Sequence, residues 1–116
     1  MTLAAAHYAK FKEQVVADGF VFTFVEAGEY LVFPVGGREV IPFWSSQTRV
    51  EKVQAEHPKY GKFAIKRLPL DEFIKWLPKL GADGICIGAN WSGKRLRGYD
   101  VETDDLLAGL KYWLER

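Results

Sequence analysis

Three serines, two histidines, one cysteine and a scatter of carboxylates are the residues with which this chain could do chemistry. Nucleophilic catalysis needs a serine or thiolate beside a base that can take its proton. Ser45, Ser46 and Ser92 are the available hydroxyls, and His57 is the histidine that lies outside the first predicted helix. No serine sits in a G-x-S-x-G strand-to-helix elbow. His57, followed by Pro58, reads as a helix-terminal residue whose imidazole serves the last carbonyls. Cys86 lies in the apolar run Gly84-Ile85-Cys86-Ile87-Gly88, where a cysteine packs as a small apolar side chain. A reactive thiolate needs an electropositive and accessible setting. The pairs Asp71-Glu72 and Asp104-Asp105 each stand at a predicted helix start, where the macrodipole accounts for them. Asp83 with Asp100 would be an acid-base pair drawn from different elements, but capping and solvated roles explain both. No catalytic residue is therefore assigned.

Metal binding and cofactor binding fare no better. One cysteine and two isolated histidines do not make a zinc set, and no acidic loop has calcium spacing. No metal site and no cofactor are expected. The segment Gly88-Ala89-Asn90-Trp91-Ser92-Gly93-Lys94 has the glycine and lysine spacing of a phosphate-binding loop. It fails at Arg95, where a magnesium-binding Ser or Thr should stand, and Leu96 to Tyr99 do not open a helix. Asn90-Trp91-Ser92 is formally a glycosylation sequon, but the N-terminal residues are not a secretory signal.

Aromatics remain. Of the four tryptophans, Trp76 and Trp113 fall at core-compatible phases of predicted helices. Trp44 and Trp91 each follow a predicted strand and precede a serine. Tryptophan joins a large contact area to one hydrogen-bond donor and is favoured at binding surfaces. If the two strand exits share a sheet edge, Trp44, Ser45, Ser46, Asn90, Trp91 and Ser92 line one shallow cleft. The alternative is that both rings close the open end of the sheet.

The elements that must position these residues follow from periodicity. Leu3 to Asp18 carries one apolar face and ends before Gly19, which predicts a helix with a left-handed cap. Phe20–Glu26, Tyr30–Pro34 and Arg38–Phe43, the last two joined by Gly36-Gly37, predict a three-stranded antiparallel meander. Pro42 belongs at an edge or a strand end. Thr48 and Glu51 have capping-box spacing for a helix to about His57. A half-buried strand is expected over Lys62 to Leu68 and a helix over Leu70 to Leu80, kinked or shortened by Pro78. The Cys86 strand follows, then a loop from Ala89 to Gly98 with a short strand near Tyr99 to Val101. A final helix starts at Thr103-Asp104-Asp105, its apolar face made by Leu106, Leu107, Leu110, Trp113 and Leu114.

The chain has 116 residues, 48% of them hydrophobic, which fits one domain over 1–116. Sixteen basic and fifteen acidic residues leave a net charge of +1, so no nucleic-acid footprint is expected beyond a local patch at Lys94, Arg95 and Arg97. No apolar stretch approaches the roughly 20 residues of a membrane helix. Without an export signal or disulfide framework, the cytoplasm is the expected compartment.

Val40-Ile41-Pro42-Phe43-Trp44-Ser45-Ser46, Leu70-Asp71-Glu72-Phe73-Ile74-Lys75-Trp76-Leu77-Pro78-Lys79-Leu80 and Gly84-Ile85-Cys86-Ile87 resemble an uncharacterised bacterial family of small proteins, a domain of unknown function. The resemblance runs from about Phe20 to the C-terminus. It implies a small bacterial α+β domain and carries over no catalytic residue. A shorter likeness, in the proline-aromatic-serine strand exit, is similar to the N-terminal domain of the SseB type associated with type III secretion.

The expectation is an α+β fold: a mixed or mainly antiparallel sheet of about five strands with about four helices packed on it. The leading function is a non-enzymatic binding or interaction module using the Trp44 and Trp91 loops. Its partner would be another protein or a small polar ligand. A small hydrolase or transferase with a polar cleft is the alternative, and a homodimer that consumes the tryptophans is a third reading.

Overall fold

A computed structural model describes residues 2–116; Met1, the first residue of the expected 1–116 domain, lies outside the described residues. The fold is α+β. Four helices, α1 (Leu3–Asp18), α2 (Gln47–Glu56), α3 (Leu70–Ala82) and α4 (Thr103–Leu114), are interspersed with seven strands. The strands are β1 (Phe20–Glu26), β2 (Glu29–Tyr30), β3 (Phe33–Val35), β4 (Arg38–Phe43), β5 (Ala64–Pro69), β6 (Ile85–Ser92) and β7 (Arg97–Val101).

The strands form two sheets where the sequence predicts one. β2-β1-β5 is antiparallel, while β3-β4-β6-β7 holds one parallel pair, β4 with β6. The predicted meander is divided between them: Glu29 and Tyr30 pair back onto β1, whereas Phe33 to Val35 pair with β4. Leu31 and Val32 lie between the two short strands and belong to neither sheet. A bridge between Phe22 and Trp44 ties the sheets together. Backbone bonds of 2.9 and 2.8 Å run in both directions across it.

Side chains alternate along β4, as a strand buried on both faces requires. Ile41 and Phe43 join a core built with Phe11 and Val15 of α1, Phe73 and Leu77 of α3, and Leu106 and Leu110 of α4. Val40 and Trp44 point the other way, into a second core with Phe22 and Phe24 of β1 and Val50 and Val53 of α2. On β6, Ile87 and Ala89 face the first core and Cys86 the second. Pro42 stands one residue from the end of β4, where its carbonyl accepts from Thr23 Oγ1 at 2.7 Å.

Several boundaries differ from the sequence reading. The cap of α2 is Ser46, whose Oγ accepts from the Arg49 amide at 3.2 Å; Thr48 lies inside the helix rather than at its start. α3 continues through Pro78 to Ala82, with Leu77 and Leu80 buried on either side of the lost backbone bond. The expected loop after Ala89 is a hairpin of β6 and β7. Trp76 packs against Phe43 and Tyr30 as expected, but Trp113 is only half-buried, beside Arg116 in the last turn.

Candidate functional site

The parallel pairing of Phe43 with Ala89 brings the ends of β4 and β6 to the same sheet edge. Trp44, just past β4, and Trp91, next to last in β6, therefore lie at the same end of the parallel pair. Both rings are buried, 1% and 3% exposed, so they do not form an exposed aromatic surface. The Trp44 indole donates through Nε1 to the Trp91 carbonyl at 2.7 Å. Its ring packs on Phe24, with centroids 4.9 Å apart.

Trp91 reaches this position through a break in strand alternation. Simple alternation would place it on the face of Ile87 and Ala89. Asn90 instead takes a left-handed backbone, φ 50°, and the register with β7 shifts between Ala89 and Ser92. This bulge turns Trp91 onto the opposite face, over Gly88. A Cβ at Gly88 would lie 2.4 Å from Trp91 Nε1, and one at Gly98 would lie 2.8 Å from its Cδ1. The two glycines thus leave the slot that the indole fills. On its outer side, Trp91 Nε1 donates to Asp100 Oδ1 at 2.8 Å. Burial raises the Asp100 carboxyl above its usual range, against the opposing pull of that hydrogen bond and of Arg97.

Asn90 is 1% exposed, and both ends of its amide bond Ser45. Its Oδ1 accepts from the Ser45 amide at 2.9 Å, and its Nδ2 donates to Ser45 Oγ at 3.0 Å. That leaves the Ser45 proton for Gln14 Oε1 of α1, which also accepts from Arg49 Nε at 3.4 Å. The chain Asn90–Ser45–Gln14–Arg49 links β6, the β4 exit, α1 and α2.

Above this network lies a cleft of about 220 Å³. Trp44, Asn90, Trp91 and Ser92 line it, together with His7 of α1 and with Arg49, Lys52, Val53 and Glu56 of α2. Four of the six residues singled out in the sequence line the cleft. Ser45 is buried behind it and Ser46 caps α2. Arg49, Lys52 and Glu56 carry no sequence signal, because which face of α2 turns toward β6 is decided by the packing of Val50 and Val53; His7, on α1, carries none either. Past His7 and Ser92 the cleft opens into a more apolar trough along Leu3, Ala4 and Gly93.

The remaining candidates lie elsewhere. His57 caps the end of α2, but its Nε2 pairs with the Gly93 carbonyl at 2.7 Å, a hairpin group rather than one of the helix's own carbonyls. Asp83 is the cap residue of α3, while Asp100 serves Trp91. Cys86 is buried, and burial pushes its thiol up. Among the described residues no three His, Cys, Asp or Glu converge as metal ligands, and no helix is long and apolar enough to cross a membrane.

Comparison with curated proteins finds no match. Residues 8–110 match the model of a family described as "Protein of unknown function (DUF2750)", a stretch that runs from within α1 to within α4 and includes every residue of the cleft but His7. The chain belongs to this family.

Proposed function

We propose that this domain is a non-enzymatic binding module whose recognition surface is the cleft at the shared exit of β4 and β6, and that its partner is a small polar ligand. The observation that carries the reading is the rigid floor: Trp44, Asn90 and Trp91 are buried and mutually fixed, while the groups above them are polar and partly open. A site supported by packed rings and hydrogen-bonded side chains is preorganised, which lowers the entropic cost of binding. Ligand clefts in sheets with parallel strands favour the carboxyl ends of those strands, which is where this one lies. A cytoplasmic location goes with this reading.

The hydrolase or transferase reading is less well supported. Ser45 Oγ gives its proton to the Gln14 amide oxygen, a group that cannot act as a base, and His57 is engaged by Gly93. The rings' burial also weakens the homodimer reading, since an indole already buried has little surface left to give an interface.

A thermal-shift screen of small polar metabolites tests the proposal. Hits should stabilise the native chain and fail with Ser92→Trp, which fills the cleft mouth. Far-UV circular dichroism checks that this variant is folded. Hits that stabilise the variant as well as the native chain place binding elsewhere and defeat the reading.

A further inference from the structure

We propose that the cleft is an anion site, taking the carboxylate or phosphate group of a small molecule, with Arg49 as its anchor and Lys52 beside it. This rests on the reading of the cleft as a recognition surface and adds the chemical class of what is recognised.

Arg49 carries the argument. It is half-buried, and of its guanidinium only Nε has a hydrogen-bond partner among the described residues, Gln14 Oε1. Among the described residues no carboxylate lies within ion-pair distance of it, and the ion pair there joins Arg38 to Glu102. A half-buried guanidinium that lines a cleft and has terminal N–H groups without a protein partner offers the planar fork that matches a carboxylate or phosphate. Gln14 is itself held by the Ser45 hydroxyl, so the fork is oriented before anything binds.

The placement of the charges points the same way. Arg49 lies in the first turn of α2, which contains no acidic residue, at the helix end where the macrodipole disfavours a cation. Lys52 follows three residues later on the same face, and like charges at that spacing repel. Arg49 carries both costs within the free protein, while Glu56, four residues after Lys52, partly offsets the repulsion at Lys52. An anion in the cleft offsets both costs at once. Glu56 is the carboxylate among the lining residues, a turn beyond Lys52 and not ion-paired with it, while Asn90, Ser92 and His7 add polar groups to the walls.

The test is a titration with sodium phosphate and, separately, sodium acetate at constant ionic strength, followed by ¹H–¹⁵N NMR. Saturable shifts are expected at the Trp44 and Trp91 indole N–H signals, with little change at Trp76 and Trp113. Arg49→Gln should weaken the better-bound anion about tenfold or more, the usual worth of a charge-assisted bond. Lys94→Gln, which removes an exposed charge outside the cleft, should change affinity less than about twofold, as screening dictates. Phosphate binding above acetate assigns the anion to a phosphoryl group, and the reverse order to a carboxylate. Equal affinity in Arg49→Gln and the native chain, or no saturable response to either anion, overturns the anion site. If neutral metabolites still stabilise the protein through Ser92, the cleft reading survives that result; if they do not, both fall.

Discussion

The Trp44 indole donates to the backbone carbonyl of Trp91, closing two strand exits 47 residues apart into one unit. Trp44→Phe keeps an aromatic ring but strands that buried carbonyl and leaves a void. The expected loss is about 2–4 kcal/mol, from the unpaired acceptor and the missing ring volume together. Urea denaturation should show a lower midpoint at unchanged slope. A loss below about 0.5 kcal/mol, within the range of ordinary surface substitutions, contradicts this.

Asn90 answers two demands, a left-handed backbone and a side chain that satisfies Ser45. Glycine meets the first demand only and alanine meets neither. Both variants should be destabilised, Asn90→Ala more than Asn90→Gly by about 1 kcal/mol, the cost of a non-glycine residue in that region. Equal losses, measured by chemical denaturation, would show that the backbone conformation carries no strain.

Gly88→Ala tests the slot. Its new methyl overlaps the Trp91 indole, so the ring must move and release Asp100. Overpacking of this kind costs about 1–3 kcal/mol. The Trp91 indole N–H signal should shift strongly while far-UV circular dichroism stays native. An unmoved signal refutes the described packing.

Tyr8 stacks on Tyr99, ring centroids 4.6 Å apart and planes within 1°, and its hydroxyl is pushed up to about 12 by burial, then by Tyr99 and Asp105. A raised folded value favours the folded state while the phenol is neutral. That contribution is complete below the ordinary value of 10.0 and is lost as pH rises through about 12. Tyr8→Phe, which has no proton to lose, should therefore show a shallower fall in stability across this alkaline window. Parallel pH profiles for the two proteins would rule the effect out.

Much of this architecture is readable from residue pattern. α1 is legible because its apolar spacing and Gly19, at φ 81°, are both local signals. The strand-loop pairing of Trp44 with Trp91 is legible as a possibility, since each tryptophan follows an apolar run. Its parallel register is not, because that depends on how α2, β5 and α3 return the chain. The phase of Trp91 is hidden for another reason: the bulge at Asn90 reverses the alternation on which a strand reading relies. The meander is divided because Glu29–Tyr30 and Phe33–Val35 choose different neighbours, a choice made by tertiary packing rather than by propensity. Arg49 and Lys52 look like solvated helix residues until Val50 and Val53 fix which way α2 faces.

The central claim is that recognition occurs in the cleft above Trp44, Asn90 and Trp91. The most direct measurement follows the four indole N–H signals while the chain is titrated with metabolites that stabilise it in the thermal screen. The account predicts saturable shifts at Trp44 and Trp91, abolished by Ser92→Trp, with Trp76 and Trp113 unmoved. Saturable shifts confined to Trp76 or Trp113, with Trp44 and Trp91 silent, would contradict it.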